Sequence, residues 1–281
     1  MGAFVTSAAG IRVPGMLYGT AWKKDDTARL VGLAIRMGFR GIDTACQPKH
    51  YNEAGVGAGI ASCADLGLAR GDLYVQTKFT SVSGHDPARS PYDPNATLGE
   101  QVAQSFAVSL RNLQTTYLDC LVVHSPLDTM RQTLEVWRAI ELLIDAGGVR
   151  QAGISNCYEL STLQELFRSA GAKPAVVQNR FYGGSAYDRE IRAFCLANGI
   201  VYQSFWTLTA NPDALAHDTI TRLASAYERT PAQILFRFLT QVAVVPLSGT
   251  RSETHMRDDL SIFDFELEAA ERDAVGRLFV P

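Results

Sequence analysis

The sequence predicts an α/β protein in which residues 1–281 form one domain, a (β/α)₈ TIM barrel. Three observations support this fold class. Eight short apolar segments are typical of parallel strands that are buried on both faces. A helical segment follows each of them, and no linker or low-complexity tract divides the chain. Eight evenly spaced repeats favour a closed barrel over an open doubly wound sheet.

The predicted strands and helices alternate along the chain. In the helical segments apolar residues recur at helical spacing, as Val102, Phe106 and Leu110 do. Two short apolar runs before residue 16 are compatible with an N-terminal β-hairpin over the barrel floor, and a C-terminal helix is predicted at about 266–278. The strands are predicted at 16–21, 41–45, 73–79, 118–125, 150–156, 175–181, 200–206 and 242–248. The other helices are predicted at 26–37, 53–64, 97–113, 129–146, 159–169, 188–198, 219–227, 231–240 and 252–260.

Composition and charge exclude several classes of function. The formal net charge is −3 without any run of like charges, so neither nucleic acid nor membrane is expected as a partner. No apolar segment is long enough to cross a bilayer and the N-terminus lacks a signal-peptide pattern, so we expect a cytoplasmic protein. Five cysteines without CxxC spacing are expected to be reduced thiols. The sequence does not predict the oligomeric state.

Two familiar kinds of site motif are absent. The segment GVGAGI (55–60) resembles a dinucleotide-binding GxGxxG motif, but it ends in Ile60 and follows a polar stretch instead of a strand. We interpret its glycines as positions of close helix–strand packing. The histidines lack the spacing of metal ligands, so no metal site is predicted.

Three consecutive predicted strands end in ionisable residues: Asp43, Lys78 and His124. Charged groups inside apolar strands are costly to bury alone, so Asp43 and Lys78, on neighbouring strands, are predicted to pair. A single such residue is more often structural than catalytic. Enzymes with this barrel carry their active sites at the carboxyl ends of the strands. Three ionisable residues in succession at those ends therefore predict a catalytic site.

Several segments together resemble the aldo-keto reductase family in order and spacing, over nearly the whole chain. This resemblance implies a barrel that binds NADPH or NADH without a Rossmann domain and transfers a hydride between the nicotinamide and a small-molecule carbonyl or alcohol. It also implies a catalytic tetrad of Asp43, Tyr51, Lys78 and His124. The segments are FRGIDTACQPKHYNEAGVG (39–57), VQTKF (75–79), LDCLVVHSP (118–126), GISN (153–156), VVQNRF (176–181) and FDFEL (263–267).

The tetrad suits carbonyl reduction because a proton must reach oxygen as a hydride reaches carbon. Tyr51 is the expected acid, and in the reverse direction the base. We expect Lys78 to lower the pKa of Tyr51, and Asp43 to keep Lys78 charged. His124 is expected to orient the substrate oxygen.

The tyrosine assignment has an alternative. Asp43 and Tyr51 are eight positions apart, which is wider than the spacing familiar from the family. Alignment from NEAGVG instead places His50 where the tyrosine usually stands. We prefer Tyr51, because a phenol can respond to the charge of Lys78, and keep His50 as the alternative acid or as a substrate contact.

The resemblance also assigns the cofactor site. Ser155, Asn156 and Gln178 correspond to residues that bind the carboxamide, Phe205 corresponds to the aromatic ring that stacks on the nicotinamide, and Gly19 and Thr20 end the first strand beside them.

The far end of the cofactor site is predicted at SGTR (248–251). Thr250 and Glu253 have capping-box spacing, so a helix is predicted to begin at Arg251, and Ser248, Thr250 and Arg251 are predicted to hold the cofactor phosphates. Gly249 and His255 stand where the family has Lys and Arg for the 2′-phosphate, and Asp258 or Asp259 replaces its Asn. The resemblance favours NADPH, and NADH remains open.

The substrate pocket is expected to be comparatively open, because loop 207–213 is short and few residues follow the last helix. Its predicted walls are Tyr18, Trp22, Trp206 and parts of 80–96. Two other functions are retained: a Schiff-base lyase that uses Lys78 as nucleophile, and a cofactor-sensing regulatory subunit without significant turnover. The lyase requires a neutral amine, which Asp43 opposes.

Overall fold

The computed structural model describes residues 3–279 and contains a closed barrel of eight parallel strands, as the sequence predicts. Neighbouring strands in the barrel follow chain order, and the last strand pairs with the first to close the cylinder. The barrel strands are β3 (Leu17–Gly19), β4 (Gly41–Asp43), β5 (Tyr74–Phe79), β6 (Cys120–Val123), β7 (Ala152–Ser155), β8 (Val176–Arg180), β9 (Val201–Phe205) and β10 (Val244–Ser248).

Helices surround this cylinder and each predicted helix is present. Three of them begin with a threonine N-cap and a Glu or Gln three positions later, which satisfies the free amides of the first turn. The segment after β9 was predicted to be a loop, but Pro212–Ala216 forms a short helix there. The helices are α1 (Thr27–Met37), α2 (Glu53–Ala61), α3 (Leu98–Leu113), α4 (Met130–Asp145), α5 (Leu160–Ser169), α6 (Arg189–Ala197), α7 (Pro212–Ala216), α8 (Asp218–Ala226), α9 (Pro231–Gln241), α10 (Glu253–Leu260) and α11 (Ala269–Gly276).

The predicted N-terminal hairpin covers the barrel floor. Strands β1 (Phe4–Thr6) and β2 (Arg12–Pro14) pair antiparallel, with Val5 opposite Val13. The Ser7 hydroxyl donates at 2.6 Å to Oε1 of Gln151, the residue before β7. The Ala8 amide donates to the carbonyl oxygen of Gly199, shortly before β9. The hairpin is therefore fixed to the amino ends of two barrel strands.

The interior of the barrel changes character from floor to mouth. Small and branched residues such as Leu17, Val122, Val176 and Val245 fill the lower part and pack against Val5 of the hairpin. Above this layer lie buried polar side chains, among them Gln76 and Lys78. The apolar floor closes one end, so the mouth of the barrel is the end that remains for a site.

The glycines of GVGAGI allow two helices to approach α2, which corrects the predicted helix–strand contact. A Cβ on Gly57 would lie 2.1 Å from Asn112 O of α3, and one on Gly59 would lie 2.6 Å from Ala28 O of α1. Helix–helix contacts on both sides of α2 therefore require these glycines. Helix α2 begins at Glu53, two residues after Tyr51, and Glu53 Oε1 accepts from Thr77 Oγ1 at 2.5 Å.

None of the helices in residues 3–279 is long and apolar enough to span a membrane. The five cysteines are buried and unpaired. Across the same residues no group of three or more His, Cys, Asp or Glu side chains has the geometry of a metal site.

Candidate active site

A cavity of about 810 Å³ opens at the carboxyl ends of the barrel strands. It extends from the ends of β4 and β6 across β7, β8 and β9 to the loop between β10 and α10. Most side chains that the sequence assigned to the site line this one cavity. They are Gly19, Trp22, Asp43, His50, Tyr51, His124, Ser155, Asn156, Gln178, Phe205, Trp206, Ser248, Thr250, His255 and Asp259.

Lys78 and Asp43 form the predicted buried ion pair beneath this cavity. Lys78 Nζ donates to Asp43 Oδ1 and Oδ2, both at 2.8 Å, and to the carbonyl oxygen of Thr44 at 2.9 Å. The two residues are 1% and 3% exposed. Burial acts to lower the pKa of Lys78, but the charges of Asp43 and Tyr51 outweigh it and raise the pKa. The ammonium therefore stays charged.

Tyr51 lies over this ion pair. Lys78 Nζ is 5.3 Å from the centre of the Tyr51 ring, and the ring makes an edge-on contact with His124 at 6.0 Å. Burial raises the pKa of Tyr51, while the charge of Lys78 acts to lower it and that of Asp43 to raise it. Lys78 therefore acts in the expected direction, but the net pKa of Tyr51 is raised because desolvation of the phenolate is the larger effect.

His50 points to a different neighbour. Its ring lies 3.9 Å from that of Trp22 between centroids, tilted by 39°, and its carbonyl oxygen accepts from the Trp22 amide at 2.8 Å. Burial, and then the charge of Lys49, lower the pKa of His50. Its Nδ1 is buried without a hydrogen-bond partner among residues 3–279. Of the two candidates, Tyr51 is the one that contacts the Lys78–Asp43 pair.

His124 is held neutral at the end of β6. Its Nδ1 lies 2.7 Å from Thr80 Oγ1, and Nε2 makes no hydrogen bond with the part of the chain described. Burial, followed by the charge of Lys78, lowers the pKa of His124 to about 3. Either atom of this contact can be the donor; with Thr80 Oγ1 donating to Nδ1, the neutral imidazole carries its proton on Nε2. This tautomer can donate a hydrogen bond into the cavity.

Two glutamine amides contact Asp43, and a third, that of Gln203, joins them. Gln76 Nε2 and Gln178 Nε2 donate to Asp43 Oδ1 at 2.6 and 2.9 Å. Both also donate to Gln203 Oε1, at 2.8 and 2.9 Å, and Gln203 Nε2 donates back to Gln76 Oε1. Sequence reasoning missed Gln76 and Gln203. Their signal was period two, because Gln76 precedes Lys78 and Gln203 precedes Phe205 by two residues and shares the inward face.

The hydrogen bonds continue from these amides to the barrel floor. The Tyr74 hydroxyl donates to Gln76 Oε1 at 3.0 Å and accepts from Gln151 Nε2 at 3.1 Å. Gln151 Oε1 in turn accepts from Ser7 of the hairpin. Because each donor faces a defined acceptor, this series of hydrogen bonds fixes the orientation of each side-chain amide. Gln178 is thereby left with its Oε1 free of hydrogen bonds to the residues described.

Ser155 and Asn156 are occupied by backbone contacts. Ser155 Oγ donates to Gln178 O at 2.6 Å, and Asn156 Nδ2 donates to His124 O at 2.8 Å. Asn156, Trp22 and Trp206 have left-handed backbone conformations, with φ of 50°, 62° and 55°. Such conformations are costly for residues other than glycine and concentrate at functional sites. Here all three residues line the cavity.

The loop from Ser248 to Ser252 differs from the prediction. Helix α10 begins at Glu253 with Ser252 as N-cap, so the predicted start at Arg251 is wrong. The Thr250 hydroxyl instead accepts from the Ser252 amide. Arg251 is exposed, does not line the cavity, and donates to the carbonyl oxygen of Trp22 at 2.8 Å. A turn between Thr250 and Ser252 therefore replaces the predicted capping box.

Two buried residues carry unusual pKa values near this loop. Lys23 Nζ donates to Gly249 O at 2.8 Å, and burial, followed by repulsion from Arg251, lowers the pKa of Lys23 to about 8. Ser248 Oγ donates to Asp259 Oδ2 at 2.5 Å, and burial raises the pKa of Asp259 to about 6. The loop therefore has a cation on one side and a carboxylate on the other.

Some predicted site residues do not reach the cavity. Tyr18 is fully buried and its hydroxyl donates to Thr250 O, so it is no substrate wall. Thr20 is buried because its hydroxyl donates to Asp43 O. The segment 80–96 does not line this cavity either; Arg89 and Pro91 border a neighbouring one. Within this segment, Thr80 contacts the site through His124, because its hydroxyl lies 2.7 Å from His124 Nδ1.

Comparisons with known proteins agree with this architecture. The family model described as the aldo/keto reductase family matches residues 14–278. The chain is 31% identical to a glyoxal reductase of Bacillus subtilis, over 90% of this chain and 84% of the relative. It is 27% identical to a methylglyoxal reductase of Yersinia pestis, over 90% and 84%. A crystal structure of an aldo/keto reductase from Brucella melitensis superposes with a TM-score of 0.84 at 26% identity, covering 99% of this chain and 100% of the other.

Proposed function

The chain belongs to the aldo-keto reductase family, and on this premise we propose that it reduces small aldehydes or ketones with a nicotinamide dinucleotide. The family and the reductases among its relatives support carbonyl reduction by an oxidoreductase. The relatives named for glyoxal and methylglyoxal make small oxoaldehydes the first substrates to test.

Features of the cavity fit a dinucleotide. The Phe205 ring is half-buried and faces the cavity, and the unpaired Oε1 of Gln178 can accept from a carboxamide. Farther along, the first residues of α9 and the loop before α10 border the same cavity, and helix N-termini favour phosphate groups. When bound, the dinucleotide supplies the hydride. Ser248 and Thr250, with Lys23 behind them, are the proposed phosphate contacts.

The proposed proton donor is Tyr51. Its ring lies above the Lys78 ammonium, which favours the phenolate as the proton leaves. Asp43 holds that ammonium in place, so its charge is fixed before any substrate enters. His124 donates from Nε2 to the substrate oxygen and orients it toward Tyr51. The buried ion pair directly under Tyr51 is the observation that carries this assignment.

The far end of the cavity favours NADH over NADPH in this proposal. Of the described residues, Arg180 is the one Lys or Arg that lines the cavity, and it belongs to β8, not to the loop between β10 and α10 or to α10. At the far end the charged or ionisable lining residues are His255, Asp258 and Asp259. Two carboxyl groups would repel a 2′-phosphate, whereas a ribose hydroxyl can donate to them. The resemblance alone favoured NADPH.

Schiff-base chemistry at Lys78 is poorly supported. The amine is buried, charged and bonded to Asp43 and Thr44, so it lacks the free lone pair that attack on a carbonyl requires. A regulatory subunit without turnover would need the same cofactor cavity. Turnover of a carbonyl distinguishes it from an enzyme.

The experiment that tests the function is a titration of the purified protein with NADH and NADPH, followed by a carbonyl panel. Trp22 and Trp206 line the cavity, so bound cofactor is expected to quench their fluorescence. Oxidation of the reduced cofactor by glyoxal or methylglyoxal would support the proposal. Tight cofactor binding without turnover of any carbonyl would support the regulatory alternative instead.

A further inference from the structure

Arg180, at the end of β8, presents a guanidinium group to the active-site cavity. The group lies 4.3 Å from the ring centre of Trp206 and 5.3 Å from that of Tyr182. These aromatic faces hold it in place and cover it from solvent, which strengthens its interaction with any anion. The side chain is half-buried as a result.

The guanidinium of Arg180 has no anionic partner within residues 3–279. It makes neither a hydrogen bond nor an ion pair there, and its Nε is buried without a partner. Buried donors are normally satisfied, so an unpaired one that borders a cavity suggests that a ligand supplies the acceptor.

The same protein shows how such an arginine is satisfied elsewhere. Arg70 and Arg150 stack on the Tyr117 ring at 4.3 and 4.2 Å. Both also bind the carboxylate of Asp119, at 2.8 and 2.9 Å. Arg180 has the aromatic contacts of these residues and lacks the carboxylate.

Arg180 is also tied to the residues around the proposed reaction centre. Its backbone pairs with Phe205 on β9, and its amide donates to the Tyr158 hydroxyl at 3.2 Å. That hydroxyl donates to Asn156 Oδ1, and Asn156 donates to the backbone of His124. The backbone of Arg180 is therefore linked through Tyr158 and Asn156 to the backbone of His124.

We propose that Arg180 binds an oxyanion of a ligand in the cavity, and that this oxyanion is the carboxylate of the carbonyl substrate. The substrate class is then oxo acids and aldehydes that carry a carboxylate, held bidentately by the guanidinium. This inference rests on the proposed reductase function. A cofactor phosphate has the same chemistry, but the phosphate contacts proposed above, Ser248 and Thr250, belong to a different part of the cavity lining, between β10 and α10.

The test compares 4-carboxybenzaldehyde with 4-methylbenzaldehyde, which is similar in shape and uncharged. We expect the wild type to favour the carboxylated aldehyde in kcat/KM. Arg180→Met should reduce that preference about 10- to 100-fold, mainly through KM, and Arg180→Lys should restore part of it. Arg150→Met, which removes a stacked arginine outside the cavity, should leave the preference unchanged.

A binding measurement gives a second readout. Calorimetry should show that benzoate binds the complex with oxidised cofactor at least tenfold more weakly in Arg180→Met, while the cofactor dissociation constant stays unchanged. Weakened cofactor binding in Arg180→Met would place the oxyanion on the cofactor and overturn the substrate assignment. Turnover without any effect of Arg180→Met would overturn the whole inference. No turnover of either aldehyde by the wild type would count against the reductase function, whereas benzoate binding would still test Arg180.

Discussion

The ammonium of Lys78 lies 2.8 Å from each carboxylate oxygen of Asp43, and both side chains are almost completely buried. Two glutamine amides share Asp43 Oδ1 with the ammonium, so the carboxylate is surrounded by donors. This concentration of polar contacts under one phenol gives the barrel mouth a fixed charge arrangement in which the proposed acid, Tyr51, is the outermost member.

Removal of one partner of this ion pair should destabilise the folded protein. Lys78→Met leaves the Asp43 carboxylate buried without a cation, so we expect the free energy of unfolding to fall by about 3–5 kcal/mol. Urea denaturation measures the loss. The double variant Lys78→Met/Asp43→Asn, which buries no charge, should recover part of it; equal losses in the single and double variants would contradict the pairing energy.

The identity of the acid can be tested at two adjacent positions. Tyr51→Phe should lower kcat about 10²- to 10⁴-fold and leave cofactor binding intact, because the substitution removes the hydroxyl group that donates the proton and keeps the packed ring. His50→Phe keeps the contact with Trp22 and should change kcat less than tenfold. Steady-state kinetics and a fluorescence titration check both. The reverse pattern would make His50 the acid; Tyr117→Phe, far from the cavity, is the control.

The pKa of His124 predicts a pH profile. Because that pKa is lowered to about 3 in the folded protein, the imidazole stays neutral throughout the physiological range. The stability it contributes is present above the unfolded value of about 6.5 and is lost as the pH falls through the folded value. We expect kcat/KM to show no break near pH 6.5, and the NMR signals of His124 to shift only in acid. A titration near neutrality would contradict the buried neutral tautomer.

The sequence predicted the architecture well because its signals are local. Each strand is a short apolar run, and ionisable residues at three successive strand ends could be read without coordinates. Gln76 and Gln203 were missed because a polar residue inside a strand gives no sign of which distant amide it meets. Tyr18 was misplaced for a related reason: its direction depends on a carbonyl 232 positions away, at Thr250.

The prediction at the phosphate end was wrong, and that for the pKa of Tyr51 was incomplete, for other reasons. Thr250 has Glu253 three positions later, whereas Ser252 has His255 there, so the residue pattern favours Thr250; in the structure Ser252 is the N-cap and its side chain accepts from the His255 amide. For Tyr51, sequence reasoning identified the favourable charge of Lys78. The opposing effect of burial depends on how many atoms surround the phenol, which only the folded structure specifies.

Cofactor affinity should depend on the series of hydrogen-bonded side chains below the site. It runs from Gln151 through Tyr74 and Gln76 to Gln203 and Gln178. Gln203→Leu removes one acceptor from the amide nitrogens of both Gln76 and Gln178, and it frees Gln178 to rotate. We expect a loss of about 1–3 kcal/mol in stability and a roughly tenfold higher cofactor dissociation constant. Gln151→Leu, at the floor end of the same series, is the matched control. It should cost stability and leave cofactor affinity nearly unchanged; equal effects on affinity would remove Gln178 orientation as the cause.

Cofactor preference should respond to the carboxyl groups at the far end of the cavity. Asp258→Asn keeps the shape of the side chain and removes its negative charge, so repulsion of a 2′-phosphate should weaken while contact with a ribose hydroxyl persists. We expect the NADPH dissociation constant to fall about three- to tenfold and that for NADH to change less than twofold, at low salt. Asp264→Asn, outside the cavity, controls for net charge. Equal tightening of both cofactors would show that Asp258 does not face the 2′ position, and wild-type preference for NADPH would reverse the assignment made from this end of the site.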